Sequence, residues 1–354
     1  MLFITPTDYK NYHKFATNSE RKISNEGIKR FSKIILPKNS ILVTCIGSDM
    51  GKVVMNNTEA ITNQQINSII PNPLKANNDF LYYSMVGIYP TLRLFGGDGT
   101  AVPILNKGDF ENLTIALPPL KTQEKIAQIL SSFDDKIVLL HKQNKTLESI
   151  AQTLFRHHFI ENAKEDWEEK VITDLFEVKD GTHDSPKQKE FGKKLITSKH
   201  ILKNKLDFDN AYFISKEDFE KINKRSKVEQ GDILFSMIGT IGLTYLEQSN
   251  TINYAIKNIG LFKTSQNKKF MYFVYLWLNS TFGIKFIHEN RGGSTQEYVT
   301  LNNLRSIVFN IPDDENFNLF NQQVKPMFDK IYHNSQQIQN LESLRDIILK
   351  KIFE

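Results

Sequence analysis

Apolar residues recur at alternating steps of four and three through the middle of the chain, and this pattern predicts one long helix. The repeating positions are Ile126, Leu130, Phe133, Ile137, Leu140, Asn144, Leu147, Ala151 and Leu154. They form the a/d seam of a coiled coil. Pro118 and Pro119 set the start of the helix, and neither glycine nor proline interrupts it. We therefore predict a helix over 118–160, about 60 Å long at about 1.5 Å per residue.

The residues before this helix alternate short apolar runs with turn residues, which is typical of strands in an α/β segment. The runs are 34–36, 41–46, 80–83 and 113–117. A polar stretch at 160–168 predicts a linker after the helix. A second α/β segment follows this linker.

The second segment repeats the first. Ile41-Leu42 matches Ile233-Leu234, and from Pro118, which matches Pro312, the two copies align onward without a gap. The second helical seam is therefore Phe320, Val324, Met327, Ile331, Asn334, Ile338, Leu341, Arg345 and Ile348. We predict an α/β fold with a pseudo-twofold internal repeat, in which two globules are separated by two long antiparallel coiled-coil helices. Asn144 and Asn334 are candidates for fixing the register of the seam, although polar seam residues are as often only tolerated.

The repeat is incomplete at its start. The segment that opens the second globule at Trp167 has no counterpart before Met1. Two interpretations remain open. Either the chain begins inside the first globule, or that globule works without its opening elements.

Composition narrows the class of protein. The chain has 354 residues, of which 40% are hydrophobic and 24% charged, as is ordinary for a globular protein. One cysteine, Cys45, excludes a disulfide framework and a multi-cysteine zinc site. No apolar run is long enough to span a membrane and Met1 opens no signal peptide, so we expect a cytoplasmic protein without membrane contact. The net charge of +5 lies mostly in the first segment, and charge alone does not separate nucleic-acid contact from a solvated face.

Motifs for catalysis are absent from the sequence. The Pro118-Pro119 pair lacks the flanking residues of an amino-methyltransferase loop, and no phosphate-binding loop of the G-x-x-x-x-G-K-[ST] type occurs. The glycine-rich run 96–99 lacks dinucleotide-loop spacing and is typical of a turn. Adjacent His157 and His158 on a helix cannot face one metal. We therefore predict that the chain is not an enzyme.

Several motifs resemble those of one known family. The run from Pro118 to Ala127, with Leu130 and 134–137, is similar to the P-P-L-x-x-Q-x-x-I-A-x-x-L entry to a conserved spacer helix. The same family pattern also matches Trp167 and residues 181–183, 231–234 and 293–296. The chain thus resembles the DNA-specificity (S) subunit of type I restriction-modification systems over nearly its whole length. The first half departs from the pattern at 97–101, where Gly-Asp-Gly-Thr-Ala replaces the usual G-S-T-Q.

The resemblance implies a domain order and a function. It implies a first target-recognition domain over 1–117 (N-terminally incomplete), a first spacer helix over 118–160, a second recognition domain over 161–314 and a second spacer helix over 315–354. Each recognition domain would read one half of a bipartite double-stranded DNA target, and the helices would set the spacing and dock two methyltransferase subunits. Restriction and translocase subunits would join them. The cofactors S-adenosylmethionine and ATP with magnesium would belong to those partners, and this chain would hold none.

Candidate DNA-contacting residues are the polar and basic side chains that suit groove edges and phosphates. In the second segment they are Thr182, His183, Lys187, Ser198, Lys199, Arg225, Ser236, Thr240, Lys257, Arg291, Gly293, Ser294, Thr295 and Gln296. In the first segment they are Thr5, Thr7, Lys10, Arg21, Ser48, Lys52, Gln64, Gln65, Arg93 and Thr100. The glycines of 292–296 permit close backbone approach, although a simple strand-connecting turn explains them equally well. The alternative function is a non-catalytic coiled-coil scaffold whose globules bind protein partners.

Overall fold

The computed structural model describes residues 1–11, 14–95, 102–293 and 297–353, without the side chains of Lys10 and Asn11. These residues form two compact units. The first unit comprises Met1–Leu140 and Ile338–Glu354, and the second comprises His141–Gln337. Both long helices contribute to both units.

The first unit is a small α/β globule with parts of two helices. Its strands are β1 (Leu2–Ile4), β2 (Phe15–Ala16), β3 (Arg21–Lys22), β4 (Ile41–Thr44), β5 (Val53–Asn56), β6 (Ala60–Thr62) and β7 (Ile66–Ile69). Its helices are α1 (Asn25–Arg30), α2 (Asn78–Gly87), α3 (Tyr89–Leu94), α4 (Lys107–Glu111) and the first part of α5 (Leu120–Arg156), with 3₁₀ turns at Pro6–Asn11 and Ser32–Ile34. The strands pair in the orders β3-β1-β6 and β2-β5-β4-β7.

The second unit has the same kind of globule with additional elements. A π-helical turn at His157–Glu161 ends α5. The strands that follow are β8 (Glu168–Val171), β9 (Val178–Asp180), β10 (Lys193–Thr197), β11 (Ile201–Leu202), β12 (Lys205–Leu206), β13 (Phe213–Ile214), β14 (Ile233–Ser236), β15 (Thr244–Leu246), β16 (Tyr254–Lys257), β17 (Ile259–Phe262) and β18 (Val308–Ile311). The helices are α6 (Ile172–Leu175), α7 (Lys216–Ser226), α8 (Met271–Leu278), α9 (Thr281–Glu289), α10 (Leu301–Arg305) and α11 (Asp314–Phe353), with 3₁₀ turns at Ser198–His200, Thr264–Gln266 and Lys268–Phe270.

The strand pairing reproduces the sequence repeat. In the first unit β1 pairs antiparallel with β3 and parallel with β6, and in the second unit β10 pairs in the same senses with β13 and β16. The pairing of β4 with β5 and β7 recurs as β14 with β15 and β17. The predicted α/β fold and its internal repeat are confirmed.

The opening segment of the second globule supplies two strands that the first globule lacks among the described residues. Strand β9 pairs with the outer edge of β17, and β8 pairs with β18. Residues 113–117 correspond to β18 but form no strand, so the strand predicted there is wrong. The physical reason is that an extended segment becomes a ladder only when a neighbouring strand satisfies its backbone groups.

A second strand prediction is also wrong. Residues 80–83 lie inside α2, where the side chain of Asn77 accepts a hydrogen bond from the backbone N–H of Phe80 and caps the helix. All four of these residues are buried. A helix buried on all its faces has no polar stripe, so its apolar run looks like a strand in the sequence.

The two long helices pack along the predicted seams. In the first unit Ile137 and Leu140 of α5 cluster with Ile338 and Leu341 of α11. In the second unit the Asn334 side chain donates to Oδ1 of Asn144 at 2.8 Å. Higher residue numbers on one helix meet lower ones on the other, so the helices run antiparallel within each unit. In the described part of the chain, no helix is long and apolar enough to span a membrane.

Candidate functional site

A buried carboxylate in the second unit gathers two of the predicted site residues. Asp180 ends β9, and its side chain is only 6% exposed. One of its oxygens, Oδ2, lies 2.8 Å from Nε2 of His183, and the other accepts a hydrogen bond from Nη2 of Arg225. The His183 and Arg225 side chains are 66% and 57% exposed. The arrangement holds two polar side chains at the surface on one buried anchor.

The loop that carries His183 is tied to β16 and the residue after it. The backbone of Thr182 donates to the carbonyl of Ile256, and Asn258 returns a backbone hydrogen bond to the carbonyl of Thr182. A side chain at Gly181 would meet the carbonyl oxygen of Ile256 at 2.6 Å, so only glycine permits this approach. Nδ1 of His183 lies 2.9 Å from Oδ1 of Asn258.

Two further predicted residues join the same place. The Ser198 hydroxyl donates to the Asn258 carbonyl at 2.7 Å, and Nζ of Lys257 donates to Oγ of Ser185 at 2.5 Å. Together with the Asp180 contacts, these bonds bring five candidates from four separate stretches of sequence into one group. We call the group made by Asp180, Thr182, His183, Ser198, Arg225, Lys257 and Asn258 the Asp180 cluster.

The turn that carries Ser198 and Lys199 has an equivalent in the first unit. His200 accepts a hydrogen bond from the Thr197 backbone at 3.0 Å, and burial lowers the pKa of this imidazole below its ordinary value. In the first unit Asp8 accepts from the Thr5 backbone at 2.8 Å in the same way. Lys199 is exposed beside this turn. In both globules a polar side chain therefore accepts a hydrogen bond from the backbone three residues before it. This bond fixes the end of β1 in the first unit and of β10 in the second.

A second group of predicted residues surrounds the turn at Gly239. Ile238 bridges to Tyr298, and Tyr298 exchanges two backbone hydrogen bonds with Gly292. Gly239 has a φ of 78° and nothing lies within 4 Å of where its Cβ would be, so the turn is open to close approach. Thr240 is exposed on this turn. The turn and the loop that begins at Arg291 are thus neighbours.

The remaining predicted residues of the second unit have varied surroundings. Ser236 is buried, and its hydroxyl donates to the Thr240 carbonyl and accepts from the Leu243 backbone. Arg291 pairs with Glu297 at 3.0 Å, while Lys187 and Gly293 are exposed. Ser294, Thr295 and Gln296 lie outside the described residues.

The first unit brings fewer of its predicted residues together. Nη1 of Arg93 donates to the Ser48 carbonyl at 3.2 Å, and Ser48 follows the open turn at Gly47, the counterpart of Gly239. Lys52 pairs with Asp49 at 2.8 Å. Elsewhere Thr5 and Thr7 share a hydroxyl contact of 2.8 Å, and Gln65 accepts from the Asn63 side chain at 2.9 Å. Arg21 and Gln64 are exposed, whereas Thr100 and the Lys10 side chain lie outside the described residues.

Three residues of this region were not predicted from the sequence. Asp180 and Asn258 organise the Asp180 cluster. Phe191 is 83% exposed in the lysine-rich loop that follows His183 in the sequence. The position of Asp180 directly before the Gly-Thr-His motif was the available signal. Within the described ranges, no group of three His, Cys, Asp or Glu side chains could hold a metal ion.

Comparisons with known proteins agree with these features. Residues 2–149 and 164–346 match the family described as "Type I restriction modification DNA specificity domain". The chain is 27% identical to the type I restriction enzyme MjaIX specificity subunit of Methanocaldococcus jannaschii, covering 99% of this chain and 85% of that protein. It is 23% identical to the MjaVIII specificity subunit of the same organism, covering 92% of this chain and 81% of that protein.

A solved structure shares the fold. The crystal structure of the S subunit of a type I restriction-modification system from M. genitalium superposes with a TM-score of 0.54 at 18% sequence identity. The match covers 91% of this chain and 85% of that one. The observed fold is therefore the fold of that subunit.

Proposed function

This chain belongs to the type I restriction-modification DNA specificity family, and from that premise we propose that each of its two units reads one half of a bipartite duplex target. The chain is a DNA specificity subunit, a recognition component whose family leaves the catalytic activities to other subunits. What is proposed is the division of labour between the two units and the residues that perform it.

The Asp180 cluster is the observation that carries the proposal. It displays an arginine, a histidine, a lysine and the Thr182 hydroxyl, which are groups that donate to base edges and phosphates, while the buried Ser198 hydroxyl holds the Asn258 carbonyl. Sequence-specific reading requires donors with fixed directions, and every one of these side chains has a partner that orients it. The open turns at Gly47 and Gly239 add backbone that can approach a sugar-phosphate chain closely.

We propose that further predicted residues of each unit make supporting contacts to the DNA. In the second unit these are Lys187, Lys199, Thr240, Arg291, Gly293, Ser294, Thr295 and Gln296. In the first unit they are Thr5, Lys10, Arg21, Ser48, Lys52, Gln64, Arg93 and Thr100. Ser236, because it is buried, would act by shaping the turn at Thr240.

The outward faces of the long helices are the proposed docking sites for two methyltransferase subunits. Ile150 and Leu344 are 43% and 50% exposed, and they occupy equivalent positions in the two copies of the repeat. Leu139 is 48% exposed on the same helix as Ile150. Equivalent apolar positions on two helices suit two copies of one partner. Restriction and translocase subunits would join through these methyltransferases.

The cofactors of the reaction would then belong to the partners. The chain has no phosphate-binding loop of the ATP type and no amino-methyltransferase loop in its sequence. Because the family belongs to restriction-modification systems, which act on DNA inside the cell, we place the assembly in the cytoplasm.

DNA binding tests the proposal. The full chain, assembled with its methyltransferase partner, should bind duplexes that carry its bipartite site and lose affinity steeply as salt rises, with a slope that counts phosphate contacts. Fluorescence anisotropy at several salt concentrations measures both quantities. A flat salt response with no preference among duplexes would refute DNA reading and favour the protein-binding scaffold.

The spacing role of the helices has its own test. Insertion of one heptad into α5 after Leu140, with a matching heptad in α11, should lengthen the gap between the two half-sites. Sequencing of the methylated target measures this gap. An unchanged gap would refute the spacing role.

A further inference from the structure

The Asp180 carboxyl group lies beneath a surface that we propose binds DNA. Its side chain is 6% exposed, while the two side chains that it contacts, His183 and Arg225, are more than half exposed. A carboxylate at such a place opposes phosphate binding, since like charges repel. A residue that reduces general affinity for DNA can still serve recognition by improving selectivity.

The backbone around Asp180 is rigid. Asp180 lies opposite Gly260 in the pairing of β9 with β17, so its Cα is fixed by a sheet. Arg225 comes from the last turn of α7, and His183 comes from the loop that Gly181 holds against β16. The two carboxylate oxygens each face one partner, and together they fix the direction of both side chains.

An arginine that is free to move prefers phosphate, because phosphate is the strongest anion on the duplex and is always in reach. An arginine whose guanidinium is already bonded to a buried carboxylate can direct only its remaining N–H groups outward. Those groups keep the fork geometry that matches the acceptors of a guanine edge. The same anchor keeps the imidazole of His183 in one orientation.

We propose that Asp180 is a specificity-determining positioning residue, which holds Arg225 and His183 toward the base edges of the second half-site and restrains Arg225 from moving to a phosphate. This inference rests on the proposed function. It assigns the reading of the second half-site to a defined pair of side chains and gives their buried partner the task of orienting them.

The same segment offers a matched control. Asp184 lies four residues further on and pairs with Lys221 at 3.3 Å, but both of these side chains are at least 70% exposed. Asp180→Asn and Asp184→Asn remove the same charge from the same region. Only the first change removes an anchor that orients two neighbouring side chains.

The test compares Asp180→Asn with Asp184→Asn and the unchanged chain, each assembled with the methyltransferase partner. The target is first identified by sequencing methylated DNA, and affinity is then measured for the target, for duplexes altered in one half-site and for an unrelated duplex. We expect D180N to lose about tenfold or more of its discrimination at the second half-site. Its affinity for the unrelated duplex should be unchanged or higher, and its salt slope equal or larger by about one.

D184N should keep the discrimination of the unchanged chain. Arg225→Lys keeps the charge but loses the fork, so it should reproduce the loss at the second half-site. If D180N fails to fold, Asp180→Glu keeps the charge and moves the anchor; it should show the same loss, and full selectivity in it overturns the inference. The inference is overturned if either D180N or R225K remains as selective as the unchanged chain. It is also overturned if selectivity falls equally at both half-sites. An unchanged chain that shows no selectivity refutes the proposed function instead.

Discussion

Asp134 of α5 and Phe328 of α11 occupy equivalent positions in the two copies of the repeat, yet they join globule to helix by different chemistry. In the first unit Asp134 accepts a hydrogen bond from the Tyr83 hydroxyl at 2.6 Å and pairs with Arg345 at 2.8 Å. In the second unit the Phe328 ring stacks on Tyr272 with centroids 4.7 Å apart. Burial and then the Asp134 charge raise the pKa of Tyr83 well above its ordinary value, which keeps this phenol protonated.

A second equivalent pair shows the same contrast. Gln123 begins the buried side of α5, where its side chain accepts from the Asn77 backbone at 2.8 Å and donates to the Pro118 carbonyl at 2.8 Å. At the equivalent position of α11, Phe317 lies fully buried among other rings. The repeat therefore preserves which positions are buried and leaves the chemistry free to diverge, provided that each polar group finds a partner.

The largest difference between the two junctions should come from truncating Phe317. Its ring lies 5.3, 5.0 and 5.5 Å from those of Phe159, Phe270 and Phe273. Phe317→Ala should destabilise the second unit by about 3–5 kcal/mol, because it removes buried area and leaves a cavity. The equivalent Gln123→Ala should destabilise the first unit by about 1–2 kcal/mol. Hydrogen exchange read separately in each unit measures both effects, and equal losses would contradict the contrast.

Removal of the Asp134 charge should be the next largest effect. Among the described residues, Asp134→Asn leaves Asp346 as the ion-pair partner of the Arg345 guanidinium, and we expect a loss of about 2 kcal/mol in the first unit. The double replacement Asp134→Asn with Arg345→Gln removes both charges, keeps an acceptor for the Tyr83 hydroxyl and should recover part of this loss. Denaturant unfolding followed by hydrogen exchange measures the values. A double variant less stable than D134N would contradict the explanation.

A third equivalent pair makes the second unit sensitive to pH. Asn56 in the first unit corresponds to Glu247, which accepts from the Tyr254 hydroxyl at 2.6 Å. Burial raises the pKa of Glu247 above its ordinary value of 4.5. Because the folded state binds this proton more tightly than the unfolded state, protonated Glu247 stabilises the fold at pH below 4.5. This stabilisation is lost as the pH rises through the pKa of Glu247 in the folded state.

The pH dependence gives a test that needs only one substitution. Glu247→Gln imitates the protonated acid, so it should remove the decline in second-unit stability above pH 4.5 and leave the first unit unchanged. Thermal unfolding across this pH range, with hydrogen exchange to assign the units, measures the profile. A profile that is the same in E247Q and the unchanged chain would exclude Glu247 as its source.

The smallest expected effect concerns the polar pair in the seam. Asn144 and Asn334 correspond in the repeat to Ile338 and Leu140, which form an apolar contact in the first unit. In the part of the chain that the structure describes, Oδ1 of Asn334 is buried without a hydrogen-bond partner. Replacing both asparagines with leucine should raise stability by about 1 kcal/mol, because it removes an unsatisfied polar atom. A lower melting temperature in the double variant would show that the pair stabilises the seam.

The helices could be predicted from the sequence because a heptad pattern needs no partner information. The observed bounds, Leu120–Arg156 and Asp314–Phe353, lie close to the predicted ones, and every predicted seam position is buried or half-buried. The burial of Gln123 and Asp134 was not predicted, because polar residues do not contribute to an apolar pattern. The prediction of a strand at 113–117 was wrong because strand pairing depends on a neighbouring strand, which can lie anywhere along the chain.

The candidate site was harder to predict than the fold. Thr182, His183 and Arg225 were predicted because their residue types suit DNA contact. Residue type alone does not indicate which of the many candidates lie together. Asp180 and Asn258 are far apart in the sequence and come close through the pairing of β9 with β17. Acidic residues are not expected on a surface that binds DNA, so residue type alone did not suggest Asp180.

The proposed reading of DNA by separate units is tested most directly by sequencing DNA that is methylated when this chain is present. The full chain and an Arg225→Ala variant would each be expressed with the methyltransferase partner in a host without DNA methylation, and modified bases mapped by long-read sequencing. We predict a bipartite motif for the unchanged chain, and for R225A a relaxed second half with the first half intact. A single continuous motif, or a variant in which both halves change together, would contradict the account.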